Sequence, residues 1–281
     1  RYFVTNPQFD ARQQLFINQI DLGGIGLEIG PGYSPIVPKS AGFRVETADH
    51  ANAEQLREKY RGAPGVDIGR IEEVDHILDG RPLVEVFEPG RYDYVIASHV
   101  IEHLPDLAGF LESCHALLKP TGVLALAVPD KRACFDFYQP VSTAGQVIDA
   151  HLRKATRPSP GAVFDNAAYR ASSEGRIAWP LGSRDPVQLD GDTTWAVHGL
   201  RQAVESDRYI DVHVWRFVPS SFRLMLADLA AAGFPAWREK AFLATSNFEF
   251  FFFLMPAFTV TGVDRLALLS ASLREQLAVV R

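Results

Sequence analysis

Gly30 and Gly32 stand one residue apart, directly after Gly26-Leu27-Glu28-Ile29, an apolar run that carries a single acid. Such a run reads as a buried parallel strand, and glycines, lacking a Cβ, let the main chain turn sharply and approach a ligand closely. A second run, Phe43-Arg44-Val45-Glu46-Thr47-Ala48-Asp49, ends in an acid about twenty residues further on, the position from which a carboxylate accepts hydrogen bonds from ribose hydroxyls. An acid at the end of a buried strand costs on the order of several kcal/mol unless ligand hydroxyls, an ammonium group or main-chain amides satisfy it. Asp49 and Glu28 are both candidate ligand contacts on that ground. Three imidazoles could take a proton near neutral pH: His99 and His103 after a third apolar run, and His213 in Asp211-Val212-His213-Val214-Trp215. Each has a plainer reading, His103 as a helix-start residue bonding its neighbours and His213 as a buried ring in an edge strand. Glu102 reads as a cap or orienting group.

The elements that must hold these residues alternate between strands and helices. Asp10 can cap a helix through Ile20 with Leu15, Ile17 and Ile20 inward, after an irregular lead-in over residues 1 to 9. Pro35 and Pro38 leave a loop up to Ser40, and Asn52 with Gln55 predicts a capping box for a helix reaching Tyr60. Val74 to Gly80 predicts a third strand. Tyr92 to Ser98 predicts a fourth, running into the His99 loop. Leu107, Phe110, Leu111, Cys114, Leu117 and Leu118 recur at helical spacing, and Val123 to Val128 predicts a fifth strand with Asp130 at its exit. Cys114 lies on the apolar stripe and reads as a core residue. Ser220 or Ser221 should cap a helix stopped by Gly233, before strands Ala236 to Leu243 and Phe248 to Leu254 around an Ala244 to Asn247 turn. Four consecutive phenylalanines, Phe250 to Phe253, need apolar cover on both faces.

Four segments in fixed order, LEIGPG, ETAD, YDYVIASHVIEHL and LLKPTGVLALAVPD, make the chain resemble the class I S-adenosylmethionine-dependent methyltransferases. The resemblance implies one doubly wound, mostly parallel seven-stranded α/β sheet with an antiparallel edge strand. Residues 135–216 are then a helical insertion before the last strand pair, a substrate cap or equally an oligomerisation element, with helices around Ser142 to Lys154 and Thr194 to Glu205, and 262–281 a C-terminal helix. S-adenosylmethionine would be the cofactor and S-adenosylhomocysteine its product. Glu28, Gly30, Gly32, Asp49, Ser98 and His99 would then line the cofactor site. Asp79 would accept from the adenine amine or simply begin its Asp-Gly turn. The sulfonium needs no acid for its leaving group, whereas a hydroxyl nucleophile needs a base or a metal, for which His99, His213 and Asp130 are the candidates. Asp130 with a histidine could hold a divalent cation, as in some sugar-modifying relatives, but no ligand spacing demands a metal. VPDKRACFD and YIDVHVWRFVPSSF further resemble bacterial methyltransferases of glycan or cell-envelope biosynthesis, which points to a small-molecule or saccharide hydroxyl or amine as acceptor.

Composition narrows the rest. A formal charge of −6 without a long basic stripe argues against nucleic acid as partner, and Ser98-His99-Val100 is not the Asn-Pro-Pro type of sequence that holds an exocyclic base amine. Two cysteines make neither a disulfide framework nor a zinc site and fit a reducing cytoplasm. The most apolar run, Phe248 to Phe258, is too short to cross a bilayer. The chain opens on Arg1, which points to a trimmed product or a piece of a longer polypeptide, and Leu266, Leu269, Leu273 and Leu277 recur along its last helix as a contact for a second copy or a fused domain. Two other readings share the opening motif. A nicotinamide-dependent oxidoreductase expects a third glycine where Tyr33-Ser34-Pro35 stands, and a non-catalytic binding or assembly module would keep the fold alone.

Overall fold

Short apolar strands separated by amphipathic helices bury both sheet faces when the strands run parallel, and the computed structural model, which describes residues 9–244, 247–259 and 261–278, is built that way. In chain order the elements are α1 (Ala11–Ile17), β1 (Gly26–Ile29), β2 (Val45–Asp49), α2 (Ala53–Lys59), β3 (His76–Ile77), β4 (Tyr92–Ser98), α3 (Leu107–Leu117) and β5 (Leu118–Pro129). After these come α4 (Ala144–Leu152), α5 (Pro160–Ala168), β6 (Ala171–Ser173), β7 (Val187–Leu189), α6 (Thr193–Glu205), α7 (Pro219–Ala231), β8 (Ala236–Leu243), β9 (Glu249–Ala257) and α8 (Arg265–Leu277). The seven-stranded sheet has the order β3-β2-β1-β4-β5-β9-β8, with β9 running against both its neighbours. The doubly wound sheet with an antiparallel pair at one edge is therefore as expected, and β1, β2 and β4 deliver Gly30, Asp49 and Ser98 to the same end of it.

Alternation across the strands separates two cores. Phe250 and Phe252 join Leu124, Leu126, Val95 and the stripes of α3 and α7 on one face, while Phe251 and Phe253 join Tyr94, Ile96, Phe16 and Ile17 on the other. All four phenylalanines are buried, Phe252 against Phe222 at 5.0 Å and Phe251 edge-on to Phe16 at 5.4 Å. That two-sided cover is what an interior strand requires.

Local signals read well where three or four residues decide them. Asp10 and Asn52 both close reciprocal capping boxes, with Gln13 and Gln55. Helix α1 ends at Ile17 and turns Gln13, Phe16 and Ile17 inward, so Phe16 takes the buried place expected for Leu15. Strand β3 shrinks to two residues, and β5 starts at Leu118, paired with Tyr92, well before Val123. Helix α7 is capped at Val218, whose N–H donates to Ser221 Oγ at 2.9 Å, while Ser220 instead donates to Glu275 of α8 at 2.7 Å. The lead-in up to residue 8 and the turn residues Thr245 and Ser246 lie outside the described residues.

The segment 135–216 is more built than its loose pattern suggests. Val147 and Ala150 place α4 in the main core beside α3 and α7, so this helix belongs to the layer that covers the sheet. Helix α5 and the β6–β7 hairpin were not legible: Ser159 caps α5 with Pro160 at its first position, and α5 packs on α6 through Val163 and Ala203. Helix α8 is tied to α7 by Arg265–Asp228 at 2.6 Å and leaves Leu266, Leu269, Leu273 and Leu277 exposed. Among the described residues no helix is long and apolar enough to cross a membrane.

Candidate active site

The bend after β1 is shaped by glycine. Gly30 and Gly32 have φ of +64° and +48°, the left-handed region that L side chains rarely adopt. A Cβ on Gly30 would stand 2.8 Å from Val100 Cγ2, whereas one on Gly32 would meet nothing within 4 Å, so the bend lies against the post-β4 loop on one side and open space on the other. Asp49, buried at the end of β2, accepts the Gly32 N–H at 3.3 Å through Oδ2 and the His50 N–H at 2.7 Å through Oδ1. An acceptor beside an open glycine bend fits ribose hydroxyls.

Glu28 is placed otherwise than expected. Its two oxygens accept the main-chain N–H groups of Ile36 at 2.7 Å and Val37 at 3.2 Å, which pins the loop beyond the bend and leaves the carboxyl buried. Burial outweighs those hydrogen bonds and raises its pKa to about 7. The expectation of a cofactor contact gives way here to main-chain amides. Asp79 stands exposed past the end of β3 and is held by the Nε of its neighbour Arg81 at 2.8 Å, with Gly80 at φ +89° forming the Asp-Gly turn.

The end of β4 carries a chain of charges in which Glu102 and Glu249 are buried and Arg12 and His99 half-buried. Arg12 of α1 donates to Ser98 Oγ at 2.6 Å and to both oxygens of Glu249, at 2.8 and 2.7 Å. Glu249 also receives His99 Nε2 at 2.8 Å, and His99 Nδ1 lies 3.3 Å from Glu102 Oε1, near enough for charge attraction but off the line of a hydrogen bond. Burial works against the charge on His99, yet the two carboxylates outweigh it and raise its pKa to about 9. Burial likewise disfavours the Glu249 carboxylate, and Arg12 and His99 outweigh it to bring its pKa to about 2. Set between two carboxylates and hydrogen-bonded to one of them, His99 favours its protonated form, which weighs against its expected role as base. Its backbone is left-handed, φ +53°, a rare state for a residue with a side chain.

Segment 209–215 is laid across the loop after β4. The N–H groups of Val214 and Trp215 donate to the Glu102 carbonyl at 2.6 and 3.2 Å, the Tyr209 hydroxyl donates to the His103 carbonyl at 2.8 Å, and the Trp215 indole donates to the Leu104 carbonyl at 2.6 Å. This lays buried His213 edge-on against His103 at 4.8 Å between ring centres. His213 Nδ1 lies 2.5 Å from Oδ2 of Asp136, itself buried and bonded by Gln139. A carboxylate only accepts, so Nδ1 carries the hydrogen, and in the neutral ring the other nitrogen presents a lone pair. Asp130, in contrast, is locked: Arg132 takes both its oxygens, at 2.8 and 2.5 Å, and the pair is buried. It offers no ligand or base, against expectation. Cys114 and Cys134 are buried with raised pKa values, as core thiols should be.

The family model for a methyltransferase domain matches residues 7–179. The chain belongs to the class I S-adenosylmethionine-dependent methyltransferases. It is similar to a ubiquinone biosynthesis O-methyltransferase of Rhodopseudomonas palustris strain TIE-1, 48% identical over 46 residues, which cover 16% of this chain and 18% of that protein. Its first curated relatives are thus matched over less than a fifth of their length. The protein of the same description in Burkholderia vietnamiensis strain G4 is 26% identical over 72% of this chain and 93% of its own. Among solved structures, a Zn-dependent alcohol dehydrogenase of Rhodobacter sphaeroides overlays with TM-score 0.48 at 12% identity, covering 89% of this chain and 90% of its own. A methyltransferase of Methanosarcina mazei overlays with TM-score 0.43 at 13% identity, over 88% and 98%. Scores of that size carry no argument, and the sheet order stands by itself.

S-adenosylmethionine is the methyl donor of this family, and the open bend beside Asp49 fits it. Of the residues expected in the methyltransferase site, Gly30, Gly32, Asp49, Ser98 and His99 gather at one end of the sheet, and His213 arrives there on segment 209–215. Glu28, Asp79 and Asp130 are committed to Ile36 and Val37, to Arg81 and to Arg132. Arg12, Asp136, Asp211 and Glu249 were missed. Glu249 carried a usable signal, an acid opening an apolar run, which is the reasoning that singled out Glu28.

Proposed function

We propose that this chain transfers the methyl group of S-adenosylmethionine to a hydroxyl, or in second place an amine, of a small molecule or glycan unit, with a sugar hydroxyl first among the candidates. The observation that carries the reading is the His213–Asp136 pair, which turns a lone pair from the cap onto the loop beside the cofactor bend. Bound S-adenosylmethionine supplies a methyl on a sulfonium, which passes in line to the acceptor atom while the sulfur keeps the electron pair. The chain's own part is to hold and align. Asp49 and the bend orient the nucleoside, Arg12 and His99 put positive charge at the end of β4 where a donor carboxylate can lie, and the cap closes over the acceptor.

The acceptor's proton leaves to the cluster of His213, His103 and Glu102, because His99, set between Glu249 and Glu102, favours its protonated form. An oxygen acceptor is supported by the relatives, which are O-methyltransferases by name. A nicotinamide cofactor is disfavoured by the missing third glycine at Tyr33-Ser34-Pro35. Calorimetric titration separates the readings: S-adenosylmethionine should bind and reduced nicotinamide should not, and binding of neither leaves a non-catalytic module. Transfer of labelled methyl to a panel of sugar, phenol and amine acceptors then tests the reaction. His213→Asn should lower kcat by roughly a hundredfold or more, the usual worth of a general base, with S-adenosylmethionine affinity unchanged. An unaltered kcat sinks the assignment.

A further inference from the structure

We propose that Glu102, His103 and His213 form a site for one first-row divalent cation of the zinc or cobalt kind, at the seam where the cap meets the loop after β4. One ligand atom from each of the three lies within 4.8 Å of the others. Ligand atoms around a tetrahedral zinc ion stand about 3.3 Å apart, a closing movement within reach of side-chain torsions. Two imidazoles and one carboxylate are a donor set that suits borderline cations and gives no preference to magnesium or calcium.

Two independent features point to an ion. The first is Glu102, which is 1% exposed and whose two oxygens accept no hydrogen bond. A buried carboxylate in that state is costly, and its near neighbours are the cluster itself, with His103 Nε2 at 3.9 Å, and His99 at 3.3 Å. The second is the far side of each ring. His213 Nδ1 is hydrogen-bonded to Asp136 at 2.5 Å, and His103 Nδ1 has an Asp211 oxygen at 2.8 Å, an ion-pair distance without hydrogen-bond geometry. Histidines that ligate metals bond their other nitrogen to a carboxylate in the same way, which fixes the ring and strengthens the donor.

The backbone holds the ligands in place without the ion. Val214 and Trp215 bond the Glu102 carbonyl and Tyr209 bonds the His103 carbonyl, so main-chain contacts set the separation of cap and loop. Charge favours a cation as well. Glu102, Asp136 and Asp211 face the two rings; the neighbouring positive groups are His99 beside Glu102, Lys59 at 4.0 Å from Asp211 with His50 near that same acid, and Arg216, which donates to the His213 carbonyl at 3.0 Å and with Lys131 faces Asp136.

The inference rests on the proposed function and changes one role in it. The lone pair of His213 goes to the cation, which with three protein ligands keeps a fourth position for an acceptor hydroxyl; bound there the hydroxyl loses its proton to solvent water, and its oxygen then takes the methyl while the sulfur keeps the electron pair.

The test is a Co2+ titration of the chelator-treated full chain. One equivalent should give visible absorption bands, removable by Zn2+, and should raise the thermal midpoint. Glu102→Gln and His213→Ala should lose the bands while keeping a wild-type circular dichroism spectrum. Asp136→Asn, a change at a positioning residue, should weaken Co2+ binding by about 10–100-fold. The proposal is overturned by the lack of bands at one equivalent, or by equal binding in Glu102→Gln and wild type. Methyl transfer that persists in chelator without Co2+ binding removes the cation and leaves the proposed function standing. Co2+ binding without S-adenosylmethionine binding does the reverse.

Discussion

The bend after β1 and the loop after β4 sit side by side at one end of the sheet and are built on opposite terms. At the bend the chain is nearly bare: two left-handed glycines, open space over Gly32, and a single carboxylate, Asp49. At the loop four charged groups, Arg12, Glu249, His99 and Glu102, are arranged in sequence through the interior before any ligand arrives. The bend leaves room for a ligand's own polar groups, whereas the loop has spent most of its hydrogen-bonding capacity on itself. Bareness thus marks the place that binds by shape and hydroxyl recognition, and self-pairing marks the place that holds a field steady.

Breaking the loop should have the largest effect. Glu249→Ala takes the buried carboxylate from half-buried Arg12 and His99, so the loss should fall short of a fully buried pair's cost, about 3–5 kcal/mol, yet exceed that of a surface pair. Chemical denaturation should show that loss, and a loss under about 1 kcal/mol would mean that the chain of charges is loosely held. Glu28 tests the bend's support. Its folded pKa, raised to about 7 from a model-peptide 4.5, means that it favours the fold in its protonated state. The contribution is present below pH 4.5 and is lost as pH rises through 7. The difference in stability between wild type and Glu28→Gln should therefore shift against wild type by about 3 kcal/mol over that window, and a flat difference would contradict the burial argument.

Asp49→Ala should keep the fold, at a cost of about 1–3 kcal/mol for the Gly32 and His50 N–H groups it leaves unpaired, and weaken S-adenosylmethionine by roughly a hundredfold, the worth of charge-assisted hydrogen bonds to hydroxyls. Unchanged calorimetric affinity would move the cofactor away from the bend. The smallest effect belongs to Asp79→Ala, because its pair with Arg81 is exposed. The thermal midpoint should not move, and a tenfold fall in S-adenosylmethionine affinity would restore the adenine contact that its position after β3 suggested.

The same contrast explains what could be read in advance. The bend, the capping boxes at Asp10 and Asn52 and the apolar strands depend on residues within a few positions of each other, and the sequence displays such patterns directly. The loop's partners come from far away: Arg12 and Glu249 are 237 residues apart, His99 and Glu249 150, His213 and Asp136 77. Periodicity carries no trace of which distant acid will face a given histidine. Asp130 misled for the converse reason, since its position at the exit of β5 was right and only the local turn to Arg132 decided what it met. Helix α5 escaped because Pro158 and Pro160 look like breakers, although proline at a first helical position is favourable.

His99 shows what the chain tolerates for the sake of its imidazole. A left-handed conformation costs a residue with a Cβ roughly 1–2 kcal/mol that glycine escapes, and the loop has kept a histidine at φ +53°. A connector whose only task was to reverse direction would do better with glycine. Any replacement other than glycine inherits the backbone handicap without the two glutamate contacts that offset it, so the stability of a substituted protein at this position is a statement about main-chain geometry as much as about charge.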